Sequence, residues 1–173
     1  KPIPLEVAIF LMKEILLGIG HAHNQKIQME GYDGVLHLDI KPKNILVTKN
    51  DNNPIKIIDY GISQGGKEER SKRVMGSRPY MSPEQFSLNT VLDKRTDIYA
   101  LGVLFREMLT GRNWYPNEIR NDTKKIRNWI KTEPLPPVFP EYCDNPDVQE
   151  IIDKATEKKP ENRFQSCEEF TEV

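Results

Sequence analysis

A carboxylate, an ammonium and an amide are gathered in one short stretch of this chain, His37-Leu38-Asp39-Ile40-Lys41-Pro42-Lys43-Asn44, and a second carboxylate follows in Asp59-Tyr60-Gly61. A carboxylate can accept a proton from a hydroxyl, and an ammonium two residues on can face developing negative charge. Amide and carboxylate oxygens are the hard ligands that Mg²⁺ demands. A proton acceptor, a cation and metal ligands are together what transfer of a phosphoryl group to a hydroxyl requires. Singly, Asp39 or Asp59 would read as a turn former or a cap; the ordered set is what carries the chemistry.

The elements that must hold these residues are legible from hydrophobic spacing. Pro4 starts a helix whose apolar positions Leu5, Ala8, Ile9, Met12, Ile15, Leu16 and Ile19 recur at three and four. Val35-Leu36-His37, the run Asn44 to Thr48, and Ile55-Lys56-Ile57-Ile58 suggest short strands. With Asn50-Asp51-Asn52-Asn53-Pro54 as a turn, the last two form a hairpin that delivers Asp59 opposite Asp39. Asn24 to Gly34 reads as a polar surface loop. Thr96 to Gly111 is apolar nearly all round and belongs inside a domain, with Asp97 at its start suiting the helix dipole and Gly111 as its stop. A polar helix over Thr123 to Lys131, a proline-rich connector from Pro134 to Pro140, a helix opened by Asn145-Pro146 and a capping-box start at Ser166-Cys167-Glu168-Glu169 complete the series. The fold class is α+β, mainly α, as a single domain over 1–173.

Composition narrows the partners. A chain of 173 residues can bury about 70 % of its unfolded surface, enough for a real core. Its net charge of −1 gives no general pull toward nucleic acid or acidic membranes. The run Lys67-Glu68-Glu69-Arg70-Ser71-Lys72-Arg73 mixes signs and reads as a solvated loop. Cys143 and Cys167 form neither a disulfide framework nor a zinc site, so reduced thiols and a cytoplasmic location are expected. Lys13 and Glu14 interrupt the first apolar helix, and nothing reads as a signal or membrane span.

The stretch from His37 to Asn44, followed by Ile45-Leu46-Val47 and then Asp59-Tyr60-Gly61, resembles the catalytic loop and metal-binding turn of a protein kinase. Seven matching positions, each filled by a residue type used at about 5 %, have a chance on the order of one in a billion. The resemblance makes Asp39 the catalytic base, Lys41 the cation at the transferring phosphate, Asn44 and Asp59 the Mg²⁺ ligands, and Leu46 and Ile58 the apolar floor under ATP. It gives His37 a structural role inside the loop. Gly76-Ser77-Arg78-Pro79-Tyr80-Met81-Ser82-Pro83-Glu84-Gln85 is similar to the loop that positions the acceptor peptide, with Ser82 in place of Ala, and sets the chain apart from small-molecule kinases. Asp97-Ile98-Tyr99-Ala100-Leu101-Gly102-Val103-Leu104 resembles the family's central helix, and Pro160-Glu161-Asn162-Arg163-Phe164 the turn whose Arg163 pairs with Glu84. Lys41, and Ser77 in the place of a threonine that contacts Asp39 and Lys41, imply Ser/Thr acceptors. The phrasing around Ser82 and Arg163 is most similar to the eukaryotic-like Ser/Thr kinases of bacteria.

Three departures qualify the resemblance. Leu38 replaces the Arg that usually receives an activation-loop phosphate, which removes the main counter-charge for control at Ser71 or elsewhere. Tyr60 replaces Phe. No Gly-x-Gly-x-x-Gly loop is present: Gly18-Ile19-Gly20 lies in a helical pattern, and Gly65-Gly66 lies in the activation segment. Val7-Ala8-Ile9-Phe10 is a decoy for the nucleotide-gripping strand, with Phe where Lys should stand.

The expectation is therefore a kinase-like C-lobe, a helical bundle with short β-hairpins carrying the catalytic loop and the N-lobe absent, that transfers the γ-phosphoryl group of ATP to protein Ser/Thr with Mg²⁺. The lobe alone is expected to be inactive until the missing N-lobe of a longer chain is supplied. Two alternatives share some of the features: a non-catalytic C-lobe that acts as a docking or regulatory module, and a small-molecule phosphotransferase, which leaves Ser82-Pro83-Glu84 and the Asp97 helix unexplained.

Overall fold

A computed structural model describes residues 1–25, 34–50, 54–60, 76–87, 90–119, 122–138 and 141–173. Gly61, most of the 24–34 loop, the charged run 67–73, Gly65-Gly66 and Ser71, the tip of the 50–54 turn and the end of the 134–140 connector lie outside them.

Helix α1 spans Leu5–His23. It buries Ala8, Met12, Ile15, Leu16, Ile19 and His23, the stripe expected of a helix with one face on the core. The decoy strand Val7 to Phe10 is thus helical. Strands β1 (Ile45–Val47) and β2 (Ile55–Ile57) pair antiparallel, Leu46 opposite Lys56. Among the described residues this is the one hairpin. Val35-Leu36-His37 is not a strand, because the N–H groups of His37 and Leu38 go to the Asp97 carboxylate instead of to a ladder.

Helix α2 (Lys94–Thr110) runs through the centre, and every residue from Thr96 to Arg106 is buried. It begins two residues before the expected start: Asp93 is its cap, accepting the N–H of Arg95, so Asp97 is free for another purpose. Gly111 ends it in the left-handed conformation, φ 64°. Helices α3 (Thr123–Thr132), α4 (Pro146–Ala155) and α5 (Cys167–Thr171) follow, with Asp122, Asn145 and Ser166 capping their first N–H groups. Helix α2 packs against α1 and α4, and α1 also against α5 and β2. The α2–α4 contact depends on Gly102: a Cβ there would lie 2.7 Å from the Ala155 Cβ and the Thr156 Cγ2. Mostly helical content with one small sheet agrees with the expected class. No helix among the described residues is long and apolar enough to cross a membrane.

Candidate active site

The loop between α1 and β1 carries Asp39, Lys41 and Asn44, and its shape is imposed from below. Leu38 sits at φ 64°, a conformation that costs a branched side chain on the order of 1 kcal/mol or more. It is held there because Asp97, fully buried, accepts the Leu38 N–H at 2.8 Å through Oδ1 and the His37 N–H at 2.8 Å through Oδ2. The ring Nε2 of His23 lies 2.8 Å from Asp97 Oδ2, and the Cys167 thiol lies 3.7 Å from the opposite ring nitrogen, so Nε2 carries the hydrogen and donates it to Asp97. A buried carboxylate with three donors has its desolvation offset. Burial, together with the nearby Asp97 and Glu168 charges, pushes the Cys167 thiol pKa up, which makes it an inert core group.

Asp39 is turned toward Lys41 and Ser77. The Ser77 N–H donates to Asp39 Oδ1 at 2.6 Å, the Lys41 ammonium bonds Asp39 Oδ2, and the same ammonium donates to Ser77 Oγ at 2.9 Å. Burial alone raises the Asp39 pKa, but the bonds from Lys41 and Ser77 and the Lys41 charge outweigh it and hold the carboxyl below its usual 3.8. The result is a carboxylate ionised at neutral pH beside a fixed cation. Asn44, buried, donates its Nδ2 to the Asp39 carbonyl at 2.9 Å, which leaves the amide Oδ1 as a hard acceptor.

His37 is fully buried, with Nδ1 accepting the Asp39 N–H at 3.3 Å and Nε2 within 3.1 Å of the Ile58 carbonyl. It ties the loop to the residue after β2, and both ring nitrogens engage backbone groups instead of the side chains of Asp39, Lys41 or Asn44. The Ile58 N–H bonds the Asn44 carbonyl at 3.0 Å. Asp59 comes next, exposed and at φ 68°. Among the described residues no hydrogen bond joins its side chain to Asp39 or Asn44; the backbone of Ile58 is the link. Leu46 lies on β1 and is 44 % exposed, so the hairpin presents an uncovered apolar surface.

The loop from Gly76 to Gln85 meets this site from the other side. Glu84 and Arg163 form a two-pronged pair, Nη1 to Oε1 at 2.7 Å and Nη2 to Oε2 at 2.9 Å, with the Arg163 side chain fully buried. Two supports were missed in the sequence. Gln85 donates to the Leu38 carbonyl at 3.2 Å and accepts the Ser82 N–H at 2.9 Å; its Ser82-Pro83-Glu84-Gln85 setting is a capping-box pattern that could have flagged it. Tyr80 bonds Glu107 of α2 through its hydroxyl, a pairing no local pattern announces.

Residues 1–172 match the family described as the protein kinase domain. The chain belongs to the protein kinase family. Serine/threonine-protein kinase PknB of Mycolicibacterium smegmatis is 32 % identical over 152 residues, covering 84 % of this chain and 23 % of that kinase. Probable serine/threonine-protein kinase CPE1738 of Clostridium perfringens is 34 % identical over 171 residues, with 97 % and 23 % covered. Serine/threonine-protein kinase PrkC of Bacillus subtilis is 32 % identical over 181 residues, with 98 % and 24 % covered. The lineage is that of the bacterial eukaryotic-like Ser/Thr kinases, and the chain spans about a quarter of the length of these relatives. The kinase family uses ATP and Mg²⁺, and the donor set here fits both: amide and carboxylate oxygens at Asn44 and Asp59, an ammonium at Lys41.

Proposed function

We propose that this chain is the C-terminal catalytic lobe of a Ser/Thr protein kinase and moves the ATP γ-phosphoryl group to a protein hydroxyl once a small N-lobe covers the hairpin. The bond from the acceptor oxygen to Pγ forms as the Pγ bond to the ADP oxygen breaks, and the hydroxyl proton passes to Asp39. Lys41 offsets negative charge on the transferring group. Asn44 and Asp59 would hold Mg²⁺, which neutralises the phosphate oxygens when bound. Leu46 and Ile58 would floor the adenine, and Ser77 would set the acceptor loop against the base. Glu84, Asp97 and Arg163 are the structural supports. The partners in this reading are a protein substrate and the N-lobe, with neither nucleic acid nor membrane engaged by this segment.

The observation that carries the reading is the Asp39, Lys41 and Ser77 set, in which the base, the phosphate cation and a residue at the start of the acceptor loop are bonded to one another. The test is Mg-ATP turnover on a generic Ser/Thr protein by the longest natural chain and by its Asp39→Asn variant. We expect a loss on the order of 10³-fold or more with Asp39→Asn and negligible turnover by residues 1–173 alone. Equal activity of parent and variant would remove Asp39 from the chemistry.

A further inference from the structure

The residues from Ser77 to Tyr80 form a tight turn whose own hydrogen bonds consume two carbonyls: Ser77 accepts from the Tyr80 N–H at 2.9 Å and Arg78 from the Met81 N–H at 3.3 Å. The carbonyl of Pro79 is taken from outside. Its donor is the indole Nε1 of Trp114, at 2.7 Å, from the segment that follows α2. Trp114 is 5 % exposed and stands edge-on to Tyr115, ring centroids 5.5 Å apart. An indole N–H can only donate, and two packed aromatic rings leave it little freedom to turn away.

We infer that Trp114 is a positioning residue for the protein acceptor, acting through the Pro79 carbonyl; this rests on the kinase reading, in which residues 76–85 receive the acceptor chain. Besides the Tyr80–Glu107 bond, the turn is pinned at two further points by unlike partners. Ser77 is bonded to Asp39 and Lys41, and Pro79 is bonded to Trp114. Losing the second pin leaves the bonds among Asp39, Lys41 and Ser77 in place while freeing the surface on which the acceptor backbone must settle. The cost then falls on acceptor binding, whereas a general loss of fold would fall on nucleotide and acceptor alike.

The test uses the full-length kinase with Trp114 replaced by β-(3-benzothienyl)alanine, which keeps the ring shape and puts sulfur where the N–H was, and with Trp114→Phe as the encoded counterpart. The KM for an acceptor peptide is expected to rise about five- to tenfold, the size of one neutral hydrogen bond, with KM for ATP moved less than twofold. Amide hydrogen exchange at 77–81 is expected to quicken while exchange in α2 holds. Unaltered exchange at 77–81, an unaltered peptide KM, or a parallel rise in both KM values would overturn the assignment. A parent enzyme that phosphorylates no protein would sink the kinase reading instead, and the exchange measurement would still decide whether Trp114 pins the turn.

Discussion

Asp97 Oδ1 accepts the N–H of Leu38 at 2.8 Å and holds that residue in a left-handed conformation one position before the proposed base. A fully buried side chain of the central helix thus sets the backbone from which Asp39 projects. Asp97→Asn turns one acceptor into a donor facing an N–H. It should destabilise the chain by about 2–4 kcal/mol. Urea denaturation of parent and variant measures this directly, and an unchanged midpoint would show that the Asp97 bonds are not needed to hold the loop.

The Glu84–Arg163 pair joins the Gly76–Gln85 loop to the turn before α5. Arg163 also donates to the carbonyls of Glu157, Lys158 and Arg95, so its removal orphans several buried groups at once. Arg163→Leu should cost about 3–5 kcal/mol, because it strands the Glu84 charge. Adding Glu84→Gln to Arg163→Leu should recover part of that loss, and a double-mutant cycle with no coupling would contradict the pair's role.

Asp39 supplies an acid-side signature. Its folded pKa lies below the unfolded value of 3.8, so its contribution to stability is complete above about pH 4 and is lost as pH falls through the folded pKa. The stability gap between parent and Asp39→Asn should therefore shrink below pH 4. Chemical denaturation at several pH values reads it out.

Lys158 gives a signature of the same sign on the basic side. Burial, aided by the neighbouring Arg163 charge, lowers its pKa from 10.5 to about 8. The unfolded chain holds that proton more tightly between these values, so stability should rise from about pH 8 toward 10.5. Lys158→Met should flatten this rise, as seen in melting temperatures across the window.

At Gly102 the helices come too close for a side chain. Gly102→Ala places a Cβ against Ala155 and Thr156 and should destabilise by about 1–3 kcal/mol, despite the better helix propensity of Ala. A thermal melt showing stabilisation would mean that α2 and α4 can slide apart without loss.

Much of this molecule was written locally. The stripe of α1, the β1–β2 hairpin, the proline and asparagine starts and the glycine stop of α2 each depend on neighbours within a turn or two, and hydrophobic period and capping chemistry expose them. The types and order of Asp39, Lys41, Asn44 and Asp59 likewise fixed which chemistry was conceivable. The strand expected at Val35 to His37 failed because the His37 N–H was claimed by Asp97, a residue far along the chain, and the Val35 N–H by the Ala22 carbonyl.

Tertiary structure alone decided the long-range bonds that neither local pattern nor family resemblance announces. Nothing near Asp97 says that it will pass over its own helix end and hold the Leu38 loop with His23. Nothing near Trp114 points to the Pro79 carbonyl, or near Tyr80 to Glu107. Such pairs form because burial leaves each polar group to find a partner among whatever the packed helices bring within reach, and that reach is a property of the assembled core. The sequence by itself supplied the candidate reactive groups and the helices, and packing settled which backbone those groups stand on.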